Sequence, residues 1–192
     1  QLMSFKELAS EMERKLNKKL IKHIANSSAV FRYPDSHMDL ARCGIASYGA
    51  SPSAGFMLKE IIPVVSVKAK VVLIKKVLKG QGISYNRTFI APEDKTIALV
   101  DIGYGEGYSR GFSSCGHMLI RENKAFVLGR VTMDLTVVDV SHIKNVSVGD
   151  EAVIVGSQGN ERITVEDFAS CLDTVPYEVF CTMGKMLKKI YH

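Results

Sequence analysis

Residues 23–49 read HIANSSAVFRYPDSHMDLARCGIASYG, and two short apolar segments in or beside this stretch are predicted to be strands. The first covers 20–25 and the second covers 38–42, and small or polar residues follow each of them. Turns of this kind expose converging backbone N–H groups, which suit a phosphate when a helix follows. Arg42 adds a permanent cation whose planar group can hold a ring nitrogen or a carboxylate. The stretch therefore predicts a phosphate site with a fixed cation beside it.

Four short motifs occupy this stretch in order. They are His23-x-Ala25-Asn26-Ser27, Tyr33-Pro34-Asp35, Arg42-x-Gly44-Ile45 and Tyr48-Gly49. In this order and at this spacing they resemble the latter part of the barrel domain of alanine racemases, which are fold-type III pyridoxal-phosphate enzymes. The resemblance continues to the last residues of the chain and covers essentially all of it.

The resemblance implies the last β/α units of a TIM-type barrel over residues 1–52 and a C-terminal β domain over 53–192. The residue pattern agrees with a β/α unit at the start of the chain. Ser4-x-x-Glu7 fits a capping box, and apolar residues recur at helical spacing over 4–19, which predicts a helix there. A complete eight-stranded barrel needs about 250 residues. The fold class is therefore expected to be mainly β, with an incomplete (β/α) barrel segment followed by an all-β barrel-like domain.

Beyond Pro52 the pattern changes to the period of two that strands show. The side chains expected to face the interior are Val65, Val67, Ala69, Val71 and Leu73, alternating with Ser66, Lys68, Lys70 and Val72. Further short strands are predicted over 97–102, 118–121, 125–130, 136–140 and 152–155. A helix is predicted over 165–172, while 179–191 fits either a strand or a helix.

The composition is that of an ordinary globular protein with a formal net charge of +5. Arginines and aromatics do not interleave on one face, so nucleic-acid binding is not expected. No apolar run reaches the roughly 18 residues of a membrane span, and residues 1–6 show no signal-peptide pattern. The four cysteines lack C-x-x-C spacing and are expected to be reduced thiols, so the sequence predicts no metal site and a cytoplasmic location.

The resemblance identifies Tyr85, in Ile83-Ser84-Tyr85, as the catalytic tyrosine. A phenol acts as a base only where a cation or a histidine stabilises its anion. In the family this tyrosine reaches the partner subunit's site and exchanges the α-proton on the L face, while a lysine that also carries the cofactor serves the D face. The family usually has glycine at the next position; Asn86 stands here and also tolerates a left-handed backbone.

Contacts to pyridoxal 5'-phosphate are implied for a further group of residues. Arg42 is implied to face the pyridine nitrogen and keep it unprotonated, and His23 to orient Arg42. The phosphate is implied to bind to Ser27, Gly44 and Ile45, the last two through their backbone N–H groups.

Substrate contacts are implied at three places. The Tyr177 hydroxyl touches the phosphate as well, and its ring limits the room for the substrate side chain, which favours alanine. Met133 and Asp134 match the family's Arg-x-x-Met-Asp loop, whose backbone N–H meets the substrate carboxylate from the other subunit. Tyr104 narrows the entry channel; its glycine-rich segment is not a nucleotide loop, because no helix is predicted after it.

The residues alone leave structural roles open at most of these positions. Tyr85 fits a packed ring at a strand end, and Arg42 fits a structural salt bridge. His23 fits a structural histidine, and Met133 fits a buried side chain in a hairpin loop. The family resemblance is what favours the functional interpretation.

The implied function is that of the C-terminal part of an alanine racemase, a homodimer with shared active sites that supplies D-alanine for peptidoglycan. The cofactor-binding lysine belongs to the family's early barrel strands, so this chain alone is expected to be inactive. Other classes remain open: a small β-barrel binding module, or a non-catalytic racemase-like protein. Within the enzyme class, a serine or broad-specificity racemase is also open.

Overall fold

The computed structural model describes residues 1–52, 61–183 and 187–191. The chain divides into two compact units, Gln1–Ile62 and Pro63–His192. The predicted domain boundary after residue 52 falls at the edge of 53–60, which lie outside the described residues. That boundary therefore stays a prediction, and each unit is taken by itself below.

The first unit opens with helix α1, Leu2–Leu16. Gln1 is its N-cap and no side chain caps it, so the predicted capping box at Ser4 and Glu7 is wrong, because both residues lie inside the helix. The helix ends earlier than predicted, at Asn17. This residue adopts a left-handed backbone with φ 47°, and its N–H bonds to the carbonyl of Arg14, which is a common way to stop a helix.

The two segments predicted as strands lie side by side but form no ladder. Their single parallel bridge joins Asn26 and Arg42, and the N–H of Arg42 donates to the carbonyl of Ala25 at 2.9 Å. An isolated pair of short strands is marginal, which explains why the pairing does not extend within the described residues. Helix α2, Ser27–Arg32, follows the first segment, and 3-10 helices cover Pro34–Ser36 and Ile45–Tyr48.

The second unit is built mainly from short antiparallel strands. They are β1 Val67–Val77, β2 Gly82–Ile83, β3 Phe89–Ile90, β4 Lys95–Val100, β5 His117–Ile120, β6 Asn123–Phe126, β7 Thr136–Asp139, β8 Glu151–Gln158 and β9 Glu161–Ile163. Three 3-10 helices, Tyr85–Arg87, Tyr104–Glu106 and Arg110–Phe112, lie in its loops. Helices α3, Val165–Cys171, and α4, Pro176–Thr182, follow the strands; the rest of the ambiguous 179–191 segment includes 184–186, which lie outside the described residues.

The strands close on themselves. Their order is β6-β5-β8-β1-β4-β7, with β9 added to β8. An antiparallel bridge between Val127 and Val138 then joins the end of β6 to β7, and the N–H of Leu128 donates to the carbonyl of Val137 at 2.9 Å. Closure removes the free edges that would otherwise pair with other chains. The predicted all-β barrel-like domain is confirmed.

Strand β1 keeps the predicted alternation only in its first half. Val67 and Val71 are buried, as expected, but Leu73 is 46% exposed. The pairing of β1 with β4 shifts register between Val71 and Leu73. Such a β-bulge inserts one residue and turns every later side chain to the opposite face. The prediction that Leu73 faces the interior is therefore wrong.

The barrel interior is filled by large apolar side chains. Those with almost no exposed surface include Tyr108, Phe112, Met118, Leu119, Ile120 and Ile154. Burial of each aliphatic or aromatic side chain stabilises the fold by about 1.5–3 kcal/mol. One buried polar side chain joins them: the Thr136 hydroxyl donates to the carbonyl of Ile102 at 2.7 Å. This bond attaches β7 to the segment that leads into the Tyr104–Glu106 helix.

A cross-strand ion pair fixes the outer side of β4 against β7. The Lys95 Nζ lies 2.8 Å from Asp139 Oδ2, and the two side chains are only 12% and 15% exposed. Burial alone would raise the pKa of Asp139, but hydrogen bonds from Lys95 and Ser141 outweigh it and lower that pKa. The hydrogen bond with Asp139 in turn raises the pKa of Lys95.

This pair predicts a pH-dependent stability. The Asp139 contribution is present above the ordinary carboxyl pKa of 3.8 and is lost as the pH falls through the lowered value. The Lys95 contribution is present below 10.5 and is lost as the pH rises through the raised value. Urea unfolding of the wild type and Asp139→Asn should give a difference in the free energy of unfolding that shrinks below about pH 4.

The matched control is Glu93→Gln. Glu93 also contacts Lys95, at 3.2 Å, but its side chain is 72% exposed, and exposed pairs contribute little. We expect a near-neutral change from it at every pH. A difference between the wild type and Asp139→Asn that stays constant from neutral to acid pH would contradict the prediction.

No helix among the described residues is of the length and apolar character that a bilayer crossing requires.

Candidate active site

In the first unit, the predicted phosphate-binding residues lie where two short helices begin. Ser27 is the first residue of α2, and the Oδ1 of the preceding Asn26 accepts the N–H of Ala29 at 3.0 Å. Ile45 is the first residue of its 3-10 helix, directly after Gly44. The first N–H groups of a helix have no acceptor inside the helix and so remain available to a ligand.

These two helix starts are held against each other. The N–H of Ala46 donates to the Ser27 Oγ at 3.3 Å, and this contact is buried. A Cβ placed on Gly44 would lie 3.8 Å from the same Oγ. Ser27, Gly44 and Ile45 are therefore brought together by the fold. One hydroxyl and the N–H groups of two helix starts form a donor set that suits a phosphate.

Arg42 lies beside this cluster on the second segment. Its Nη2 donates to the carbonyl of Ile24 at 3.4 Å, and its side chain is exposed. The ion pairs found among the described residues do not include it, so its guanidinium keeps free donors. His23 is exposed and precedes Ile24 in the chain, and the described hydrogen bonds do not join it to Arg42. Its orienting role stays a prediction.

In the second unit, Tyr85 projects from a strained turn. Its side chain is 69% exposed. Ser84 before it has φ 61° and ψ −175°, and Asn86 after it has φ 58° and ψ 14°, so Asn86 adopts the left-handed backbone that the sequence predicts. Such conformations cost a non-glycine residue about 1–3 kcal/mol each and cluster at functional sites. The surrounding structure must therefore hold this turn in place.

One short hydrogen bond helps to hold the Tyr85 turn in place. The Ser84 hydroxyl donates to the carbonyl of Arg130 at 2.6 Å. Gly129, with φ 72°, lies so close that an added Cβ would be 2.9 Å from the Ile83 carbonyl oxygen. The turn that carries Tyr85 is thus attached to the loop that continues to Met133 and Asp134.

The loop that continues to Met133 and Asp134 also binds the Tyr104–Glu106 helix. The N–H of Tyr104 donates to the carbonyl of Thr132 at 3.0 Å, and the N–H of Gly105 donates to the carbonyl of Met133 at 2.8 Å. Tyr104 and Met133 are 44% and 54% exposed, and Asp134 is exposed as well. The fold therefore places Tyr85, Tyr104, Met133 and Asp134 on loops that contact one another.

Gly103 makes this close approach possible and predicts a stability effect. A Cβ at Gly103 would collide with the backbone carbonyls of Thr132 and Met133. Because backbone cannot move aside as a flexible side chain does, Gly103→Ala should lower the free energy of unfolding by about 3 kcal/mol. Urea unfolding followed by circular dichroism measures the loss.

The control for that variant is Gly80→Ala. Gly80 has φ 83° and nothing within 4 Å of an added Cβ, so its only cost is backbone conformation, about 1–2 kcal/mol. A Gly103→Ala protein as stable as the wild type, or more stable than Gly80→Ala, would overturn the packing argument.

Tyr177 lies on α4 and is 45% exposed. A Cβ at Gly107, just beyond the Tyr104–Glu106 helix, would be 2.5 Å from the carbonyl oxygen of Thr182 at the end of α4. The element that carries Tyr177 therefore packs on the segment that carries Tyr104. The structure leaves the individual roles of the predicted site residues as proposals.

Sequence reasoning did not single out Arg130 as a site residue. Its Nε is buried without a hydrogen-bond partner among the described residues, although the carbonyl of the same residue accepts the Ser84 hydroxyl. A buried, unpaired guanidinium donor is costly and is usually satisfied by another group. The sequence does contain a signal for Arg130, because it is the first residue of the Arg-x-x-Met-Asp motif.

Comparison with known proteins assigns both units. The sequence model of "Alanine racemase, N-terminal domain" matches residues 1–52, and that of "Alanine racemase, C-terminal domain" matches residues 64–191. The alanine racemase of Syntrophobacter fumaroxidans is 40% identical over 171 residues, covering 88% of this chain and 46% of that protein. The chain spans about half the length of such relatives.

Solved structures agree with this assignment. An alanine racemase from D-cycloserine-producing Streptomyces lavendulae matches with a TM-score of 0.92 and 33% identity, covering 100% of this chain and 50% of that one. The alanine racemase from Bacillus anthracis, solved with bound L-Ala-P, matches with a TM-score of 0.83 and 33% identity, covering 94% of this chain and 47% of that one. The chain therefore belongs to the alanine racemase family.

Proposed function

We propose that this chain is the C-terminal half of a cytoplasmic, pyridoxal-phosphate-dependent alanine racemase that interconverts L- and D-alanine and so supplies D-alanine for peptidoglycan. The observation that carries the proposal is the exposed Tyr85 on its strained turn, attached through Ser84 to the loop of Met133 and Asp134. Family membership gives this constellation its chemistry. The structural neighbour with bound L-Ala-P supports an alanine-like substrate.

Tyr85 would move a proton at the α-carbon of the substrate. A phenol in water holds its proton until about pH 10, so it needs a cation or histidine nearby to act as a base near neutral pH. Its 69% exposure supports a role at another subunit's site, where such a group would lie against it. From the L face it would remove the α-proton of L-alanine, and in the reverse direction it would return one.

The residues of the first unit fit the proposed cofactor. The Ser27 hydroxyl and the N–H of Ile45 would hold its phosphate, and Arg42 would donate to its ring nitrogen. The N–H of Gly44 donates to the carbonyl of Arg42 at 3.1 Å, and it would exchange this bond for one to the phosphate. Because arginine always carries its positive charge and can only donate, Arg42 would keep the pyridine nitrogen as an unprotonated acceptor. Bound pyridoxal phosphate would supply the electron-withdrawing ring that makes the α-proton acidic.

The loops of the second unit would bind and select the substrate. The backbone N–H of Met133 donates to none of the described groups, so it is available to a carboxylate. Tyr104 and Tyr177 present rings from elements that pack together, and such rings would narrow the space around a substrate side chain. A methyl group would pass more readily than a larger side chain, which supports alanine over serine.

Two such chains would pair, with Tyr85 of each reaching the other's site. The surface beside the Tyr85 turn carries exposed apolar side chains, because Leu73 and Ile90 are 46% and 49% exposed. A surface cavity of about 570 Å³, lined in part by Leu73 and Ser84, lies on the same unit. Exposed apolar surface of this kind marks interaction sites in soluble proteins and supports a homodimer.

The test is a racemase assay of the complete protein, in which this chain is joined to the N-terminal half that its relatives have. L-Alanine and pyridoxal phosphate are supplied, and D-alanine is quantified by chiral chromatography, with L-serine in a parallel reaction. We expect cofactor-dependent formation of D-alanine and slower racemisation of serine. No D-alanine from a folded complete protein would refute the proposal and favour a non-catalytic relative.

A further inference from the structure

Two cysteines of the second unit meet although they are far apart in sequence. Cys115 follows the Arg110–Phe112 helix, and Cys171 is the last residue of α3. Their Sγ atoms lie 3.0 Å apart across a sequence separation of 56 residues. Both residues are exposed to solvent, so a small oxidant can reach them.

The backbone on both sides rests on buried aromatic rings. Phe112 and Phe168 of α3 have ring centroids 4.4 Å apart, and Tyr108 stacks on Phe112 at 4.6 Å. The N–H of Cys115 donates to the carbonyl of Phe112 at 3.2 Å, and its Sγ lies 3.2 Å from the carbonyl oxygen of Gly111. Packing of these rings therefore holds the two backbone segments that carry the sulfurs against each other.

We propose that Cys115 and Cys171 form a reversible disulfide with low-molecular-weight disulfides such as oxidised glutathione. A disulfide needs an S–S length of about 2.0 Å, so the sulfurs have to close by roughly 1 Å. In the first step the Cys115 thiolate attacks the small disulfide, forms a mixed disulfide and expels one thiolate. In the second step Cys171 gives up its proton, attacks Cys115 Sγ and expels the second thiolate. Two protein thiols are oxidised and one small disulfide is reduced to two thiols.

The order of the two steps follows from the surroundings of the sulfurs. Partial desolvation of the Cys171 thiol, followed by the hydrogen bond with Cys115, raises the pKa of Cys171 to about 11. Cys171 therefore keeps its proton near neutral pH and suits the second, intramolecular step, in which proximity compensates for weak ionisation. The neighbouring Tyr108 phenol is buried, and this burial raises its pKa far above the usual range, so it does not compete as a nucleophile.

The two remaining cysteines serve as internal controls. Cys43 lies in the first unit and Cys181 lies on α4, and both are free and exposed. The sulfur contacts found among the described residues do not include either of them. A general sensitivity of exposed thiols to oxidation would affect all four cysteines, whereas the proposal singles out one pair.

Peptide mapping of the oxidised full chain tests the link. The chain is treated with oxidised glutathione, its free thiols are blocked with N-ethylmaleimide, and it is digested with trypsin and a protease that cleaves after glutamate. Cleavage after Glu178 separates Cys171 from Cys181. We expect a peptide pair that joins 111–121 to 167–178 and that dithiothreitol removes, with Cys43 and Cys181 blocked by maleimide.

Thermal melting gives a second readout. The link would close a long loop of the unfolded chain, so oxidation should raise Tm by about 5–10 °C in the wild type. The same rise is expected in Cys43→Ser and Cys181→Ser, and none is expected in Cys115→Ser or Cys171→Ser. Glutathione adducts on Cys115 and Cys171 without a cross-linked peptide, or an equal rise in all five proteins, would overturn the proposal.

Discussion

Replacement of Tyr85 by phenylalanine in the complete enzyme is expected to lower kcat for the conversion of L-alanine to D-alanine by about 10²- to 10⁴-fold. The change removes one hydroxyl and keeps the ring. The flanking Ser84 and Asn86 set the turn, and they are untouched, so the loop attachment through Arg130 should persist. Chiral chromatography of the product at saturating substrate measures the loss.

The matched control is Tyr191→Phe. Tyr191 is 86% exposed, and the proposed site does not include it. We expect wild-type kcat from this variant. Tyr85→Phe with more than about a tenth of wild-type kcat would remove Tyr85 from the acid–base role, because general acid–base groups contribute at least about a hundredfold.

This chain alone, mixed with L-alanine and pyridoxal phosphate, is expected to form no D-alanine beyond the rate of free cofactor. The physical reason is that racemisation needs a proton carrier on each face of the α-carbon. The proposed function assigns Tyr85 to one face, and it assigns the other face to a lysine in the part of the family that this chain does not span. Phosphate contacts through Ser27 and Gly44 would bind a cofactor without completing the chemistry.

A reconstitution experiment strengthens that expectation. Joining this chain to the N-terminal half of a relative should restore turnover, and the same fusion carrying a lysine-to-alanine change at the cofactor-binding position should abolish it. Turnover by this chain alone, abolished by Tyr85→Phe, would contradict the expectation and place a second base within residues 1–192.

Sequence patterns located most strands of the second unit and one cluster of the candidate site. The motifs at Ser27 and Gly44 predicted one phosphate cluster, and the fold brings these residues together. Regular alternation in β1 predicted an interior Leu73, and the bulge reversed it, because one inserted residue leaves no mark in a pattern of apolar and polar residues. The segments at 20–25 and 38–42 have strand composition but too few neighbours to form a ladder.

Contacts between distant residues were outside the reach of any local pattern. The hydrogen bond of Ser84 to Arg130 spans 46 positions, and the approach of Cys115 to Cys171 spans 56. The cysteines were expected to be reduced thiols because they lack C-x-x-C spacing, and that spacing does not reveal the approach of Cys115 to Cys171. Gly103 likewise looks like any loop glycine until the carbonyls of Thr132 and Met133 are placed against it. Local spacing predicts elements and motifs, whereas tertiary packing decides which of them meet.

In the proposed enzyme, Tyr85 carries the α-proton on the L face only. Uptake of solvent deuterium at the α-carbon, followed separately from L-alanine and from D-alanine in the complete Tyr85→Phe enzyme, tests it most directly. We expect exchange from L-alanine to fall by at least about 10²-fold while exchange from D-alanine persists. Equal rates of exchange from the two enantiomers in this variant would contradict it.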